Sequence, residues 1–91
     1  MITGGCHCGA IRYALSAPPR QSMICHCKTC RRISGAPVVA WLTVEPDAFA
    51  ITKGEPKRYA SSANVERQFC GACGAQLTYA RTDDASYIDI T

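Results

Sequence analysis

Cysteine is the residue type in this sequence with the clearest potential for chemistry. The chain contains seven cysteines in three groups: Cys6 and Cys8, then Cys25, Cys27 and Cys30, then Cys70 and Cys73. Cysteines separated by one or two residues are typical ligands of zinc. An odd number of cysteines would leave one thiol unpaired in any scheme of disulfides. The spacing therefore favours metal-binding thiolates over disulfides.

Two of the three groups lie in similar local sequences. HCGAIRY near the amino end and ACGAQLTY near the other end each place a cysteine before a glycine and an alanine, followed by a strand-like segment with a tyrosine. Each is expected to form a tight turn presenting two thiols, in which glycine lets the backbone double back. These two turns, which we call the hooks, predict one zinc bound by Cys6, Cys8, Cys70 and Cys73, the four-cysteine cluster.

A zinc ion bound by four thiolates has no open coordination position. The four-cysteine cluster is therefore predicted to be structural. Zinc binding contributes about 10 to 16 kcal/mol in small structural zinc peptides. This is comparable with the total stability of roughly 5 to 15 kcal/mol of an ordinary domain. We expect the fold to fail without this metal.

The remaining cysteines, Cys25, Cys27 and Cys30, form the three-cysteine cluster and have no fourth protein thiol to complete a tetrahedron. A zinc with three protein ligands and one open position is typical of catalytic sites. A substrate thiol is a natural fourth ligand, because zinc keeps a bound thiol deprotonated at neutral pH. We therefore predict that these three residues are catalytic and bind a second zinc.

A different division of the cysteines is also open. The pairs Cys27/Cys30 and Cys70/Cys73 have the spacing of a zinc ribbon, in which each pair supplies half of one site. This division leaves three cysteines without a role and makes no use of the similarity between the hooks. We favour the division into clusters of four and three.

Four polar residues next to the cysteines are candidates for further roles. His7 and His26 each lie between two cysteines, and in an extended segment the middle residue points to the opposite face, so we interpret both as solvated. Arg31 and Arg32 follow the three-cysteine cluster directly. Cations near a thiol favour its ionised form and bind carboxylates, so both arginines are predicted to contact substrate, with Arg31 preferred.

Short strands must position these residues. Turn residues recur roughly every 8 to 18 residues, and no apolar 3.6-residue period survives between them. The predicted fold is mainly β and antiparallel, with at most one short helical turn, at Lys28 to Ile33. The predicted strands are Ala10 to Ser16, Val38 to Val44, Ala48 to Thr52, Lys57 to Ser61, Val65 to Phe69, Gln76 to Ala80 and Tyr87 to Ile90.

Length and composition narrow the class of protein. A chain of 91 residues predicts a single zinc-binding domain over residues 1–91, with a core small enough to need a metal or similar support. The net charge of +3 is spread along the chain, which disfavours nucleic acid as a partner. No leader pattern and no apolar run of roughly 18 residues is present. We expect a soluble, cytoplasmic protein without a membrane partner.

Four segments carry a resemblance to a known family: GGCHCGAIRY, CHCKTCRRISGAP, KGEPKRYASS and FCGACGAQLTY. From Gly4 to about Tyr79 the chain resembles the glutathione-dependent formaldehyde-activating enzyme family, also called the centromere protein V family. The resemblance implies a β-tent fold, a structural zinc at the four-cysteine cluster and a second zinc at the three-cysteine cluster. The implied activity is that of a carbon–sulfur lyase, which joins formaldehyde and glutathione to give S-hydroxymethylglutathione.

The chain differs from members of this family at its carboxyl end. Members of the family usually continue beyond the strand that corresponds to Ser86 to Ile90, whereas this chain ends at Thr91. The family's extension adds strand and loop material near the site. We expect the substrate pocket either to lack this material or to be completed by a second copy, which would make the protein a homodimer.

Two other functions are compatible with the same residues. The chain can be a non-catalytic zinc module that binds a protein or a nucleic acid. It can also be a redox or metal-handling thiol site, in which Cys25, Cys27 and Cys30 form a reversible disulfide. The neighbouring Arg31 and Arg32 would make such thiols reactive.

Overall fold

The fold is built from short antiparallel strands. A computed structural model describes residues 1–91. Apart from a 3-10 turn at Pro46–Ala48, its elements are β1 (Ile2–Gly5), β2 (Arg12–Leu15), β3 (Gln21–Cys25), α1 (Lys28–Ser34), β4 (Val39–Val44), β5 (Phe49–Lys53), β6 (Lys57–Ser62), β7 (Val65–Phe69), β8 (Gln76–Arg81) and β9 (Asp84–Ile90). Neither helical segment has the length and apolar character needed to span a membrane.

The strands form two sheets. Three strands pair in the order β1-β2-β5, and the other six pair in the order β3-β4-β9-β8-β7-β6. Every pair of neighbouring strands is antiparallel. The predicted mainly β, antiparallel fold is therefore confirmed.

The two faces of the six-stranded sheet pack against different partners, because successive side chains of a strand point to opposite faces. The inner face packs against the three-stranded sheet through a buried apolar cluster of Tyr13, Leu15, Val44 and Ile90. The outer face carries α1, through a second cluster of Cys30, Val39 and Trp41. Full burial of one such apolar side chain stabilises the fold by about 1.5 to 3 kcal/mol. The three-cysteine cluster thus belongs to the outer face.

Each predicted strand coincides with an observed one, and the predicted helical turn is α1. Two observed strands, β1 and β3, were not predicted from the sequence. Strand β1 ends in two glycines, which normally argue against a strand. A side chain at Gly4 would place its Cβ 2.5 Å from the Tyr13 ring, so the strand needs glycine there. Strand β3 is an edge strand whose first four residues are exposed, so it has no alternation to detect.

Candidate metal centres

The four-cysteine cluster is assembled by two turns from distant parts of the chain. Cys6 and Cys8 follow β1, and Cys70 and Cys73 follow β7. The four Sγ atoms all lie within 4.8 Å of one another, with 3.6 Å between Cys6 and Cys8 and 3.7 Å between Cys8 and Cys70. A tetrahedron with zinc–sulfur bonds of about 2.3 Å has edges of about 3.8 Å. The donor set and its spacing therefore fit a closed four-thiolate zinc site.

The two hooks share one backbone hydrogen bond, which in each joins the first cysteine to the fifth residue after it. The N–H of Cys6 donates to the carbonyl of Ile11 at 3.1 Å, and the N–H of Cys70 donates to the carbonyl of Ala75 at 2.9 Å. Backbone amides also donate to the sulfur atoms, as the Ile11 N–H does to the Cys6 Sγ at 3.2 Å. This amide, with smaller contributions from neighbouring thiols, lowers the pKa of Cys6 to about 6. Main-chain groups thus favour the ionised form of one thiol in each hook, since the Ala75 backbone also lowers the pKa of Cys73.

Each hook turns at a glycine with a left-handed backbone. The φ angle is +83° at Gly9 and +78° at Gly74. Non-glycine residues rarely adopt this region, because the Cβ atom meets the backbone. The glycine that the two similar sequences share is therefore required by the turn geometry, as the sequence analysis expected.

The three-cysteine cluster is positioned by the start of α1. Cys25 ends β3, Cys27 is the N-cap residue of α1 and Cys30 lies in its first turn. Their Sγ atoms lie within 4.8 Å of one another, with 3.2 Å between Cys25 and Cys30. The Cys30 N–H donates to the Cys27 Sγ at 3.3 Å. This bond, helped by the Cys30 and Cys25 thiols, lowers the pKa of Cys27 to about 7.

A buried arginine contacts this cluster. Burial, together with hydrogen bonds to the neighbouring thiols, raises the pKa of Cys30 to about 11. The Nη2 and Nη1 atoms of Arg67 lie 3.7 and 3.8 Å from the Cys30 Sγ. Arg67 lies on β7 and was not predicted as a site residue. Its sequence signal is its phase, because it lies two residues from both Val65 and Phe69 and so on the same face of the strand as these apolar residues.

A cavity of about 400 Å³ opens beside the three-cysteine cluster on the outer face of the six-stranded sheet. Its lining consists of Met23, Cys25, Cys27, Thr29, Cys30, Trp41, Ser61, Ser62, Val65, Arg67, Tyr79, Arg81, Tyr87 and Asp89. Asp89 is the only carboxylate in this lining. It is buried, and burial raises its pKa although the Thr43 hydroxyl donates to Oδ1 at 2.6 Å. The three thiols thus face a space that can admit a small molecule.

The other predicted site residues lie outside these clusters. Arg31 and Arg32 are exposed on α1, and neither lines the cavity. Their contact with substrate stays a prediction. His7 and His26 are exposed, and neither cluster includes a histidine nitrogen.

The zinc ribbon considered above is not formed. Cys27 and Cys30 belong to one group of thiols, whereas Cys70 and Cys73 belong to another. The structure therefore has the division into four and three that the similarity of the hooks favours. Together the fold and these clusters define a small antiparallel β-protein with two sites able to hold metal ions.

Comparison with known proteins identifies the family. The model of the glutathione-dependent formaldehyde-activating enzyme family matches residues 1–91. The chain belongs to this family, so the resemblance seen in the sequence is confirmed.

Two relatives have informative names. An uncharacterized lyase from Schizosaccharomyces pombe is 37% identical over 81 residues, which cover 88% of this chain and 58% of that protein. A protein of Halomonas elongata, assigned by name to the glutathione-dependent formaldehyde-activating enzymes, is 29% identical over 86 residues, which cover 85% of this chain and 54% of that protein. This chain therefore spans little more than half the length of either relative.

A solved structure has a similar fold. The crystal structure of a Rhodobacter sphaeroides protein superposes on this chain with a TM-score of 0.78. The match covers 98% of this chain and 83% of that protein, at 21% identity. The two chains therefore share their fold.

Proposed function

We propose that this chain is a zinc-dependent carbon–sulfur lyase that makes and breaks the adduct between a small thiol and an aldehyde. Glutathione and formaldehyde are the proposed thiol and aldehyde, as the family's description suggests. The observation that carries the proposal is the contrast between the two clusters. Four thiols close one site, whereas three thiols at the other face a cavity of about 400 Å³.

The donor chemistry supports zinc at both clusters, since thiolates are ligands that zinc prefers. In the proposed site Cys25, Cys27 and Cys30 hold the second zinc, and Cys6, Cys8, Cys70 and Cys73 hold the structural one. Zinc held by these three thiolates would supply a site at which an incoming thiol is kept deprotonated. All seven cysteines are free thiols, which supports a reducing compartment such as the cytoplasm.

The cavity walls supply the other needs of the reaction. Trp41 is buried and Tyr79 half-buried, and the two rings lie 6.1 Å apart at the sheet surface. These rings form an apolar part of the cavity wall. When a thiolate attacks an aldehyde, the carbon–sulfur bond forms and the carbonyl oxygen needs a proton. Asp89, whose raised pKa favours the protonated form, is the proposed donor of that proton, either directly or through one water.

Magnetisation-exchange NMR tests the proposal at chemical equilibrium. Formaldehyde and glutathione combine rapidly without a catalyst, so the quantity to measure is the exchange rate between free glutathione and its S-hydroxymethyl adduct. Zinc-loaded wild-type protein should raise this rate above that of buffer. The rate should also exceed that with Cys27→Ser protein at the same total zinc concentration. An exchange rate equal to that of buffer would rule out the activity.

The short distance between two thiols favours a second candidate function. The Sγ atoms of Cys25 and Cys30 lie 3.2 Å apart, so this pair can form a disulfide reversibly. Mass spectrometry after mild oxidation would find a loss of two hydrogens confined to this pair. If the zinc-loaded protein resists oxidation at these residues, the redox function does not hold.

A further inference from the structure

Arg67 is the only buried charged residue apart from Asp89. Its side chain retains 4% relative exposure, and it takes part in none of the salt bridges of the chain, which join Arg20 to Glu45, Arg58 to Glu66 and Arg81 to Asp83. A buried charge without an opposite charge costs several kcal/mol. No carboxylate lies within ion-pair distance of this guanidinium, so any negative charge in direct contact with it comes from another kind of group.

Neutral groups hold Arg67 in place on three sides. Its Nε donates to the Ser61 Oγ at 3.0 Å, and its Nη1 donates to the Gln76 Oε1 at 3.0 Å. The guanidinium carbon lies 5.0 Å from the centre of the Tyr79 ring. These contacts fix the plane of the guanidinium but do not neutralise it. The remaining contact is with the Cys30 Sγ, which both Nη atoms approach.

The proposed second metal site would carry the negative charge that Arg67 needs. Three thiolates and one divalent cation have a net charge of −1, and one guanidinium brings the sum to zero. We infer that Arg67 is a positioning residue for this site, which fixes the Cys30 sulfur and supplies the charge that balances the metal–thiolate group. This inference rests on the second metal site of the proposed function. Backbone amides donate to sulfur at both clusters, but only the three-cysteine cluster also has a guanidinium in contact with a sulfur atom.

The geometry suits arginine better than lysine. A guanidinium presents several N–H groups in a fixed plane, so it can donate to Ser61, Gln76 and sulfur together. An ammonium group keeps the charge but cannot reach all three partners in one plane. A Lys variant should therefore keep part of the function of Arg67, and a Met variant of similar length should keep none.

Zinc competition with a chromophoric chelator tests this inference without measuring activity. The variants are Arg67→Met and Arg67→Lys, with Arg58→Met as the control on exposed strand β6. Loss of an outer partner of a metal ligand weakens metal binding about 10- to 100-fold. In Arg67→Met we expect the weaker of the two zinc sites to lose affinity by this factor. In Arg67→Lys the loss of affinity should be smaller, and in Arg58→Met the affinity should equal that of wild type. The tighter, four-cysteine site should be unchanged in all three, which also reports that the fold is intact.

Three results would overturn the inference. One is that Arg67→Met binds two zinc ions with wild-type affinities. Another is that Arg67→Lys loses as much affinity as Arg67→Met, since the retained charge would then have no effect. The third is that wild-type protein binds one zinc only, which removes the second metal site of the proposed function together with this role of Arg67. If Arg67→Met does not fold, the zinc affinity of the weaker site is compared between Arg67→Lys and wild type. A lower affinity in Arg67→Lys supports the inference, and an unchanged affinity overturns it.

Discussion

The two cysteine clusters use the same ligand atom in different surroundings. At the four-cysteine cluster the hooks close four sulfur atoms into one group, and backbone amides donate to them. At the three-cysteine cluster the sulfur atoms lie between a buried guanidinium and a cavity. The difference indicates that the surroundings of a group of thiols, and not the ligand atom alone, separate a closed site from one that faces a cavity.

The strongest test of this contrast is Cys8→Ser. Cys8 is exposed, so the substitution removes a metal ligand without leaving a buried void. We expect loss of structural zinc and of the cooperative fold, because such zinc contributes on the order of 10 kcal/mol. Circular dichroism during heating, with zinc content by native mass spectrometry, measures this. A cooperative melt at the wild-type temperature would show that the cluster is dispensable.

The matched variant at the other cluster is Cys27→Ser. Cys27 is also exposed, and serine remains a good N-cap for α1. We expect the melt and the structural zinc to be retained, while the weaker zinc site loses at least about 100-fold in affinity, since even outer partners account for up to that much. Adduct exchange should fall to the buffer rate. Unfolding of this variant would contradict the assignment of separate roles to the two clusters.

Asp89→Asn tests the proton step within the cavity. Asparagine retains an oxygen that can accept from the Thr43 hydroxyl, so the fold and the zinc content should be retained. Loss of a general acid lowers the rate by about 100-fold or more, which adduct-exchange NMR would measure. Asp47→Asn, at an exposed carboxylate outside the cavity, is the control. Equal rates for both variants would remove Asp89 from the mechanism.

The smallest effect is expected at the exposed arginines. Arg31→Ala and Arg32→Ala change surface positions on α1 and should alter stability by less than about 0.5 kcal/mol. Because neither residue lines the cavity, the dependence of the exchange rate on glutathione concentration should also stay near that of wild type. A tenfold higher half-saturating concentration would instead confirm the substrate contact predicted from the sequence.

The hooks could be predicted because their requirements are local. A cysteine followed by glycine at a tight turn is visible in the sequence, and two such turns leave four thiols to meet. Arg67 was harder, because a buried arginine in VERQF has the same letters as a solvated one. Its position in phase with Val65 and Phe69 indicates the side of the strand to which it points, but no prediction was made from this signal. What it contacts there depends on α1, which packs on the sheet from a distant segment.

The missed strand β3 illustrates the same limit. This strand positions Cys25 beside Cys30. Its side chains are too exposed to require an alternation of apolar and polar residues. Its pairing with β4, from Gln21↔Thr43 to Cys25↔Val39, depends on a partner strand that is itself well predicted. Sequence spacing therefore predicted that these three cysteines form one group, but not the edge strand that brings Cys25 to it.

The separation of the hooks along the chain has a consequence for biosynthesis. Cys8 and Cys70 are 62 residues apart. At a synthesis rate of about 5 to 20 residues per second, the first hook waits roughly 3 to 12 seconds on the ribosome before the second is made. During that time two thiols stand on a nascent segment that cannot close its site. The yield of folded protein is thus expected to depend on how much zinc, and how little oxidant, the growing chain meets.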